Sequence, residues 1–223
     1  MRYRYIVLCL AVLLVSCGRK PEKEEVTTMD PSDILFNTPT LNDALPQVGD
    51  MVAGDKCIRM HEDDWRQFEF VSSAFAEELS AELSAIDAIW KEHSVPLDGG
   101  HAFRSVHVRK AIPEPFNIPF AVSDLETMFG SQTEPISLLG YDSVLADVYA
   151  ISLENLVVYA VISDGKMTTL GLEPLGAFTL QGDLAERFNT FLTKHDLRLV
   201  HWRSRTLFES PAHAMKYLTG NGS

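Results

Sequence analysis

The chain has few cysteines and fewer basic than acidic residues. Three cysteines occur among 223 residues, and 19 Lys and Arg residues stand against 31 Asp and Glu residues. The scarcity of cysteine excludes the multi-disulfide framework of many small secreted domains. The acidic balance disfavours nucleic acid as a partner, because phosphate binding needs a field of Lys and Arg. Basic partners, or a charge that serves only solubility, remain open.

Sequence signatures of common enzyme sites are also missing. The chain contains no Ser-centred nucleophile elbow, no H-E-x-x-H helix, no Walker loop and no dinucleotide fingerprint. We therefore expect no cofactor. Catalytic residues can be scattered along a chain, so these absences lower the expectation of an enzyme without excluding one.

A short apolar segment lies near the start of the chain. It runs for ten residues from Ile6 to Val15, behind Arg2 and Arg4. A membrane-spanning helix needs about twenty apolar residues, so this segment is too short to be one. A positive start followed by such a segment is typical of a secretory signal. We expect residues 1–16 to be removed.

The apolar segment ends in Leu14-Val15-Ser16-Cys17, which resembles the lipobox of bacterial lipoprotein precursors. The resemblance implies cleavage between Ser16 and Cys17, a lipid thioether on the Cys17 sulfur and acylation of the new amine, typically with palmitate. It implies a membrane anchor at Cys17 and a cell-envelope protein facing the periplasm or the exterior. Gly18 favours the outer membrane if the host has one. The alternative is an ordinary signal peptide that happens to end at a cysteine.

Processing at this site changes the cysteine and charge balance. Cys9 would leave with the signal and Cys17 would carry lipid, so Cys57 alone could not form an intramolecular disulfide. Free cysteines are among the most buried residue types, and we expect Cys57 to be buried. The processed chain keeps 17 basic and 31 acidic residues, a net charge of about −14.

Composition divides the processed chain into a tether and a domain. Residues 17–50 are rich in Pro, charged and small polar residues, which predicts a flexible tether. Residues 51–223 suffice for one globular domain. The apolar residues of the tether are candidates to dock part of it on the domain: Ile34, Leu35, Phe36, Leu41 and Leu45.

Apolar spacing predicts the helices. One amphipathic helix is expected from Ser73 to about His93, with Ser72 or Ser73 as its cap, and another over 184–195. A capping box from Ser123 to Glu126 predicts a short helix that Gly130 ends.

The clearest β-hairpin is predicted around Asp164-Gly165, a dipeptide that favours a two-residue type I′ turn. Counting outward from this turn pairs Ile162 with Met167 and Tyr159 with Leu170. The register of the hairpin is therefore a testable prediction.

The run 156–162 lacks polar alternation, so we expect a central strand with both faces covered. The remaining predicted elements are strands over 103–110, 144–153 and 197–203, a strand or helical turn over 66–70, and a last helix over 212–218. Helices segregated around a mainly antiparallel sheet indicate a single-domain α+β fold.

Two stretches share the pattern V-H-x-R: Val106-His107-Val108-Arg109 and Val200-His201-Trp202-Arg203. The period of two along a strand places the His and Arg of each stretch on one face, with the Val and Trp residues toward the core. One hypothesis is that these cationic strips bind an anion, such as a carboxylate or phosphate of an envelope polymer. The alternative is the solvated face of an ordinary strand.

A loose cluster of possible metal ligands comprises Cys57, His61, Glu62, Asp63 and Asp64. A metal site needs three or four converging ligands, which local sequence does not supply. We favour an acidic surface turn and predict no metal.

Residues 120–172 combine a short helix ending in Phe129-Gly130, a loop with Pro135, and strands joined through Asp164-Gly165-Lys166. This layout is similar to small envelope lipoproteins of the SmpA/OmlA type, and the similarity implies a scaffold in outer-membrane assembly. Ser131-Gln132 follow Phe129-Gly130 where that family has Leu-Gly-x-Pro, so no binding residue is carried over.

Three functions are compatible with these features. The first is a lipid-anchored, non-catalytic binding or scaffold protein whose partner is an envelope protein or polymer. The second is an envelope hydrolase that gathers His101, His107 or His201 with a carboxylate in one cleft. The third is an inhibitor or immunity-type protein that neutralises a basic partner.

Overall fold

The computed structural model describes residues 30, 33–44, 46–50, 57–116, 118–119, 122–130, 134–138 and 143–220. The chain divides into two compact units, Met1–Ile34 and Leu35–Ser223. In the first unit, the Asp33 amide donates to the Asp30 carbonyl at 2.8 Å. The predicted signal segment, with Ser16 and Cys17, lies outside the described residues.

The second unit combines helices with many short strands. Its α-helices are α1 (Ala76–His93), α2 (Val122–Phe129), α3 (Gly182–Lys194) and α4 (Pro211–Leu218). Its strands are β1 (Thr40–Asn42), β2 (Val48–Asp50), β3 (Ile58–Met60), β4 (Phe68–Ser72), β5 (Ser94–Leu97), β6 (Gly100–Phe103), β7 (His107–Arg109), β8 (Ile118–Pro119), β9 (Ile136–Leu138), β10 (Ser143–Leu145), β11 (Val148–Leu153), β12 (Leu156–Ser163), β13 (Lys166–Pro174), β14 (Leu197–His201) and β15 (Thr206–Phe208).

The largest sheet has seven strands in the order β11-β12-β13-β4-β14-β15, with β8 added beside β13. A four-stranded sheet, β2-β10-β9-β3, and the pairs β1-β7 and β5-β6 complete the β structure of the described residues. Pairing is antiparallel except between β1 and β7 and between β3 and β9. The predicted α+β fold with a mainly antiparallel sheet is confirmed.

Strand β12 explains how the layers are arranged. Leu156, Val158 and Ala160 pack in the same apolar cluster as buried residues of α2, α3 and α4. On the opposite face, Val157 and Tyr159 pack with buried residues of the four-stranded sheet. The strand lacks alternation because both faces are covered, as predicted, and each buried large apolar side chain contributes about 1.5–3 kcal/mol.

The predicted hairpin joins β12 to β13. Asp164 has φ 49° and Gly165 has φ 72°, the left-handed values that a type I′ turn requires. Ile162 pairs with Met167, as the sequence predicts.

The predicted pairing of Tyr159 with Leu170 is wrong, because the register shifts at a bulge after Val161. Tyr159 instead faces Gly171. A Cβ atom on Gly171 would lie 2.2 Å from the Tyr159 ring carbon Cζ, so this position accepts only glycine without movement. Counting outward from the turn could not reveal the extra residue.

The long predicted helices are confirmed as α1 and α3, and the last one as α4. The Ser72 hydroxyl accepts from the Ala74 amide and caps the 3-10 turn that leads into α1. Helix α2 begins at Val122, so Ser123 lies within it rather than at its cap. Gly130, at φ 112°, follows its end as predicted.

Two predicted strands are interrupted. Of the run 103–110, Phe103 is the last residue of β6 and 107–109 form β7; the run 144–153 divides into β10 and β11 at a turn where Asp147 has φ 55°. The ambiguous run 66–70 contributes to β4, which pairs with β13 and β14 within the large sheet.

The compact unit begins at Leu35, earlier than the boundary predicted between residues 50 and 51. Strand β1 pairs in parallel with β7, and Phe36 bridges to Phe103. Thr38 and Thr40 are fully buried. Part of the predicted tether is therefore an integral piece of the fold. Within the described residues, no helix has the length and apolar character needed to cross a bilayer.

Candidate ligand-binding cleft

The first V-H-x-R stretch lies on β7 and faces the opposite way from the prediction. Val108 is 37% exposed, whereas Arg109 is only 4% exposed. Arg109 donates to the Thr40 hydroxyl at 3.1 Å and to the Arg66 carbonyl at 3.0 Å. The expectation that Val108 faces the core is wrong because buried oxygens on neighbouring segments pair with the arginine. Burial lowers the pKa of Arg109 to about 10.

The second V-H-x-R stretch follows the predicted orientation. Val200 and Trp202 are buried. The His201 ring lies 4.9 Å from the Phe68 ring, and burial lowers the pKa of His201. Arg203 forms an ion pair with Asp64.

The two stretches meet through the Arg109 guanidinium, which lies 4.7 Å from the Trp202 ring centre. Their cationic groups have separate protein partners: His107 contacts the Glu82 carboxylate, and Arg203 contacts Asp64. This arrangement gives no support to an open anion site at these four residues, which stays a prediction.

Asp64 and Arg203 also lie beside Glu173 at the end of β13. Burial raises the pKa of the Glu173 carboxyl to about 7; the negative charge of Asp64 adds to this rise and Arg203 opposes it. Glu173 therefore binds a proton closer to neutral pH than Glu82 and Asp87 do, because the pKa values of those two carboxyls are lowered.

The suggested metal ligands serve local structure. His61 Nδ1 accepts from the Asp63 amide at 3.1 Å and caps a 3-10 turn. Cys57 is only partly buried, in contrast to its predicted burial, and its sulfur lies 3.4 Å from the Ser137 hydroxyl. Across the described part of the chain, no three metal-ligating side chains cluster.

A buried charged network begins in the segment Trp65–Phe70. The Arg66 Nε donates to the Glu69 carboxylate at 2.7 Å, and both side chains are almost fully buried. The Trp202 indole donates to the other Glu69 oxygen at 2.9 Å. Arg66 has φ 54°, a left-handed conformation that is costly for a residue with a long side chain.

This network also holds β1, and we call the side chains of Arg66, Gln67 and Arg109 the clasp. Gln67 donates to the Thr40 carbonyl at 2.9 Å, and Arg109 donates to the Thr40 hydroxyl. Arg66 Nη1 donates to the Asn42 side chain at 3.3 Å. The polar residues of β1 are buried because the clasp satisfies them.

Glu82 supports the same region from the buried face of α1. Its carboxylate accepts from the amides of Lys110 at 3.1 Å and Ala111 at 2.9 Å, and it contacts His107. Burial opposes ionisation of Glu82, but these contacts outweigh it and hold the pKa of the carboxyl below its ordinary value. Glu82 anchors the chain that leaves β7.

Next to the clasp lies a cleft of about 570 Å³, within the roughly 300–1,000 Å³ range of small-molecule sites. Trp65 lines it, stacked on Tyr159 with 5.5 Å between ring centres. The Trp65 indole donates to the Ala44 carbonyl at 3.2 Å, which fixes the ring. The other residues that line the cleft are Ala44, Pro46, Gln47, Arg66, Pro113, Glu114, Ala146, Asp147, Val148, Val161, Ile162, Ser163, Asp164, Thr168 and Thr169.

The charged residues of the cleft have unused bonding capacity. Arg66 Nη2 is shielded from water and has no hydrogen-bond partner among the described residues. Glu114, Asp147 and Asp164 are exposed, and none of them forms an ion pair with another described residue. Among the described residues that line the cleft, Arg66 is the sole basic one, and Glu69 already neutralises it. The cleft therefore favours positive charge.

A second depression of about 350 Å³ adjoins the cleft and shares Pro46 and Trp65 with it. Leu41 and Leu138 give it an apolar surface, and its charged residues are Glu62 and Asp63. The two depressions together form what we call the groove.

Sequence reasoning missed the cleft, although one local signal pointed to it. Arg66 and Glu69 lie three residues apart among Trp65, Phe68 and Phe70. Charged residues inside such an aromatic run indicate a buried ion pair. The carboxylates of the cleft come from separate turns and have no common sequence motif.

Comparisons of the chain with protein-family models, with curated proteins and with solved structures find no match. The resemblances to lipoprotein precursors and to SmpA/OmlA-type proteins therefore stay predictions.

Proposed function

We propose that the protein is a lipid-anchored, extracytoplasmic binding or scaffold protein, tethered through Cys17, that holds an envelope partner in the cleft beside Trp65 and Arg66. The observation that carries this proposal is the cleft itself, with a stacked aromatic wall and charged groups that lack partners in the described chain. Clefts with apolar walls and a few polar groups are the usual places for ligands. The lipobox resemblance supports the location.

The arrangement of histidines favours binding over hydrolysis. His101 lies 5.1 Å from the Trp90 ring, His107 contacts Glu82, and His201 packs on Phe68. None of these histidines lines the cleft. The hydrolase hypothesis requires a histidine and a carboxylate together in one cleft; His107 does contact Glu82, but neither residue lines the cleft, so this arrangement gives the hypothesis no support.

Two experiments in intact cells test the proposal. Cys17→Ala should release the chain into the soluble fraction without unfolding it, and continued tight membrane association would contradict the anchor. A photo-crosslinking residue at Gln47, which is exposed and lines the cleft, should capture one discrete partner. The same residue at Arg187, exposed on α3, is the matched control. Equal crosslinking at both positions would contradict binding at the cleft.

A further inference from the structure

We infer that the occupant of the groove is an extended, basic segment of another polypeptide, an assignment that rests on the proposed binding function and gives it a chemical class. Three observations lead to this class: the sign of the charge along the groove, the unpaired donor of Arg66, and the division of the groove into two depressions that share one wall.

The charge of the groove selects a cation. The cleft presents Glu114, Asp147 and Asp164, and the second depression presents Glu62 and Asp63. In the part of the chain that the structure describes, Arg66 is the sole basic side chain that lines either depression, and its charge is compensated by Glu69. Lys or Arg side chains would therefore be attracted, while acidic ligands would be repelled.

The Nη2 donor of Arg66 favours an occupant that carries a neutral hydrogen-bond acceptor beside its basic side chains. Arg66 Nε and Nη1 are used within the protein, Nη1 by the Pro113 carbonyl at 3.1 Å on the cleft wall, while Nη2 has no partner in the described chain. A buried donor without an acceptor destabilises the protein. Because Nη2 is shielded from water, a peptide carbonyl reaches it only when the occupant moves part of the cleft wall aside; that carbonyl would satisfy Nη2 without adding the negative charge that the groove disfavours.

The shape of the groove selects an extended chain over a compact cation. Pro46 and Trp65 belong to both depressions, so one occupant that crosses this shared wall contacts both. Apolar side chains of the occupant have Val148 and Val161 on one side of the wall and Leu41 and Leu138 on the other. A peptide that alternates basic and apolar residues supplies basic side chains for the carboxylates, backbone carbonyls for Arg66 and apolar side chains for the walls of the groove.

The test is a titration of the full-length chain in detergent with blocked, fluorescently labelled peptides. The probes are Lys-Leu-Lys-Leu-Lys and its counterpart with Glu in place of Lys. We expect the lysine peptide to bind and the glutamate peptide not to bind. The triple variant E114Q/D147N/D164N should weaken binding about tenfold, since it removes three exposed charge pairs that each contribute modestly to affinity. Asn keeps the left-handed backbone that Asp147 and Asp164 adopt.

The matched control is D98N/E154Q/E209Q, which removes the same number of exposed carboxylates away from the groove. It should bind the lysine peptide as the unmodified chain does. An equal loss of affinity in both variants would mean that only the net charge of the protein matters, and it would overturn the inference. Binding of the glutamate peptide, or no binding of the lysine peptide, would also overturn it. If crosslinking at Gln47 captures a partner in cells while the lysine peptide fails to bind, the proposed function stands and the basic occupant is rejected.

Discussion

Arg66 lies between two regions of the molecule, the clasp and the cleft, whose charged groups differ in how they are paired. On one side the clasp forms hydrogen bonds inside the protein that hold Thr40 and Asn42 in the interior, although Arg109 Nε and Gln67 Oε1 have no partner among the described residues. On the other side the cleft leaves Arg66 Nη2 and three exposed carboxylates without partners among the described residues. Charges that are paired inside a protein maintain the fold, whereas charges left unpaired at a cleft are available to a partner. Arginine contacts inside the clasp therefore maintain the fold, whereas the Arg66 group beside the cleft is the one that we assign to partner binding.

The largest effect should come from removing β1. A chain that starts at residue 46 keeps β2 but loses Thr40 and Asn42, which leaves Arg66, Gln67 and Arg109 with unsatisfied buried groups. We expect this chain not to fold cooperatively, and a chain that starts at residue 35 to melt as the processed protein does. Thermal unfolding followed by circular dichroism measures both. Similar melting of the two truncated chains would show that the clasp is dispensable.

A smaller loss should follow from Glu69→Gln, which leaves the Arg66 guanidinium without its buried counterion. We expect the free energy of unfolding to fall by about 3 kcal/mol, as is typical when one partner of a buried ion pair is removed. Glu114→Gln, at the exposed cleft, is the matched control and should change it by less than about 0.5 kcal/mol. Urea denaturation measures both values. Equal effects would remove the distinction between clasp and cleft.

Gly171→Ala should disturb the cleft through Tyr159, the residue on which the cleft residue Trp65 stacks. The new Cβ atom would lie 2.2 Å from Tyr159 Cζ, and Tyr159 supports Trp65 through their stacked rings. We expect a loss of about 1–3 kcal/mol of stability, the usual cost of overpacking, and a change in Trp fluorescence. Gly176→Ala is the control, since its nearest neighbour would lie at 3.6 Å. An unchanged stability in Gly171→Ala would contradict the described register.

The smallest effect concerns Glu173, whose pKa is raised by burial from 4.5 to about 7. The folded state holds the proton more tightly than the unfolded state, so stability is lost as pH rises from 4.5 to 7. Glu173→Gln should remove this loss and stabilise the protein above pH 7 by on the order of 2 kcal/mol. Below pH 4.5 it should have little effect. Melting curves across this range provide the test, with Glu154→Gln as the exposed control. A pH-independent difference would contradict the raised pKa.

The sequence predicted the elements that depend on local pattern and missed those that depend on contacts between distant segments. The apolar period of α1 and the Asp164-Gly165 turn were read correctly, since three- to four-residue spacing and turn chemistry are local. The bulge after Val161 and the inward orientation of Arg109 could not be predicted. Both depend on residues that approach from elsewhere in the chain.

Strand β1 was not predicted within the tether for a related reason. Thr40 and Asn42 are polar, and polar composition indicates exposure when partners are unknown. Their burial depends on the side chains of Gln67, Arg66 and Arg109, which follow in later segments. The cleft was missed because its carboxylates lie on separate turns.

The most direct test is a nuclear magnetic resonance titration of the full-length, ¹⁵N-arginine-labelled chain with the Lys-Leu-Lys-Leu-Lys peptide. The guanidinium signals of Arg66, assigned through Arg66→Lys, should shift on binding because Nη2 gains an acceptor. Those of Arg109, which lies in the clasp and does not line the groove, should stay unchanged. Equal shifts of both arginines, or saturable binding with no shift at Arg66, would contradict the division between a closed clasp and an open cleft.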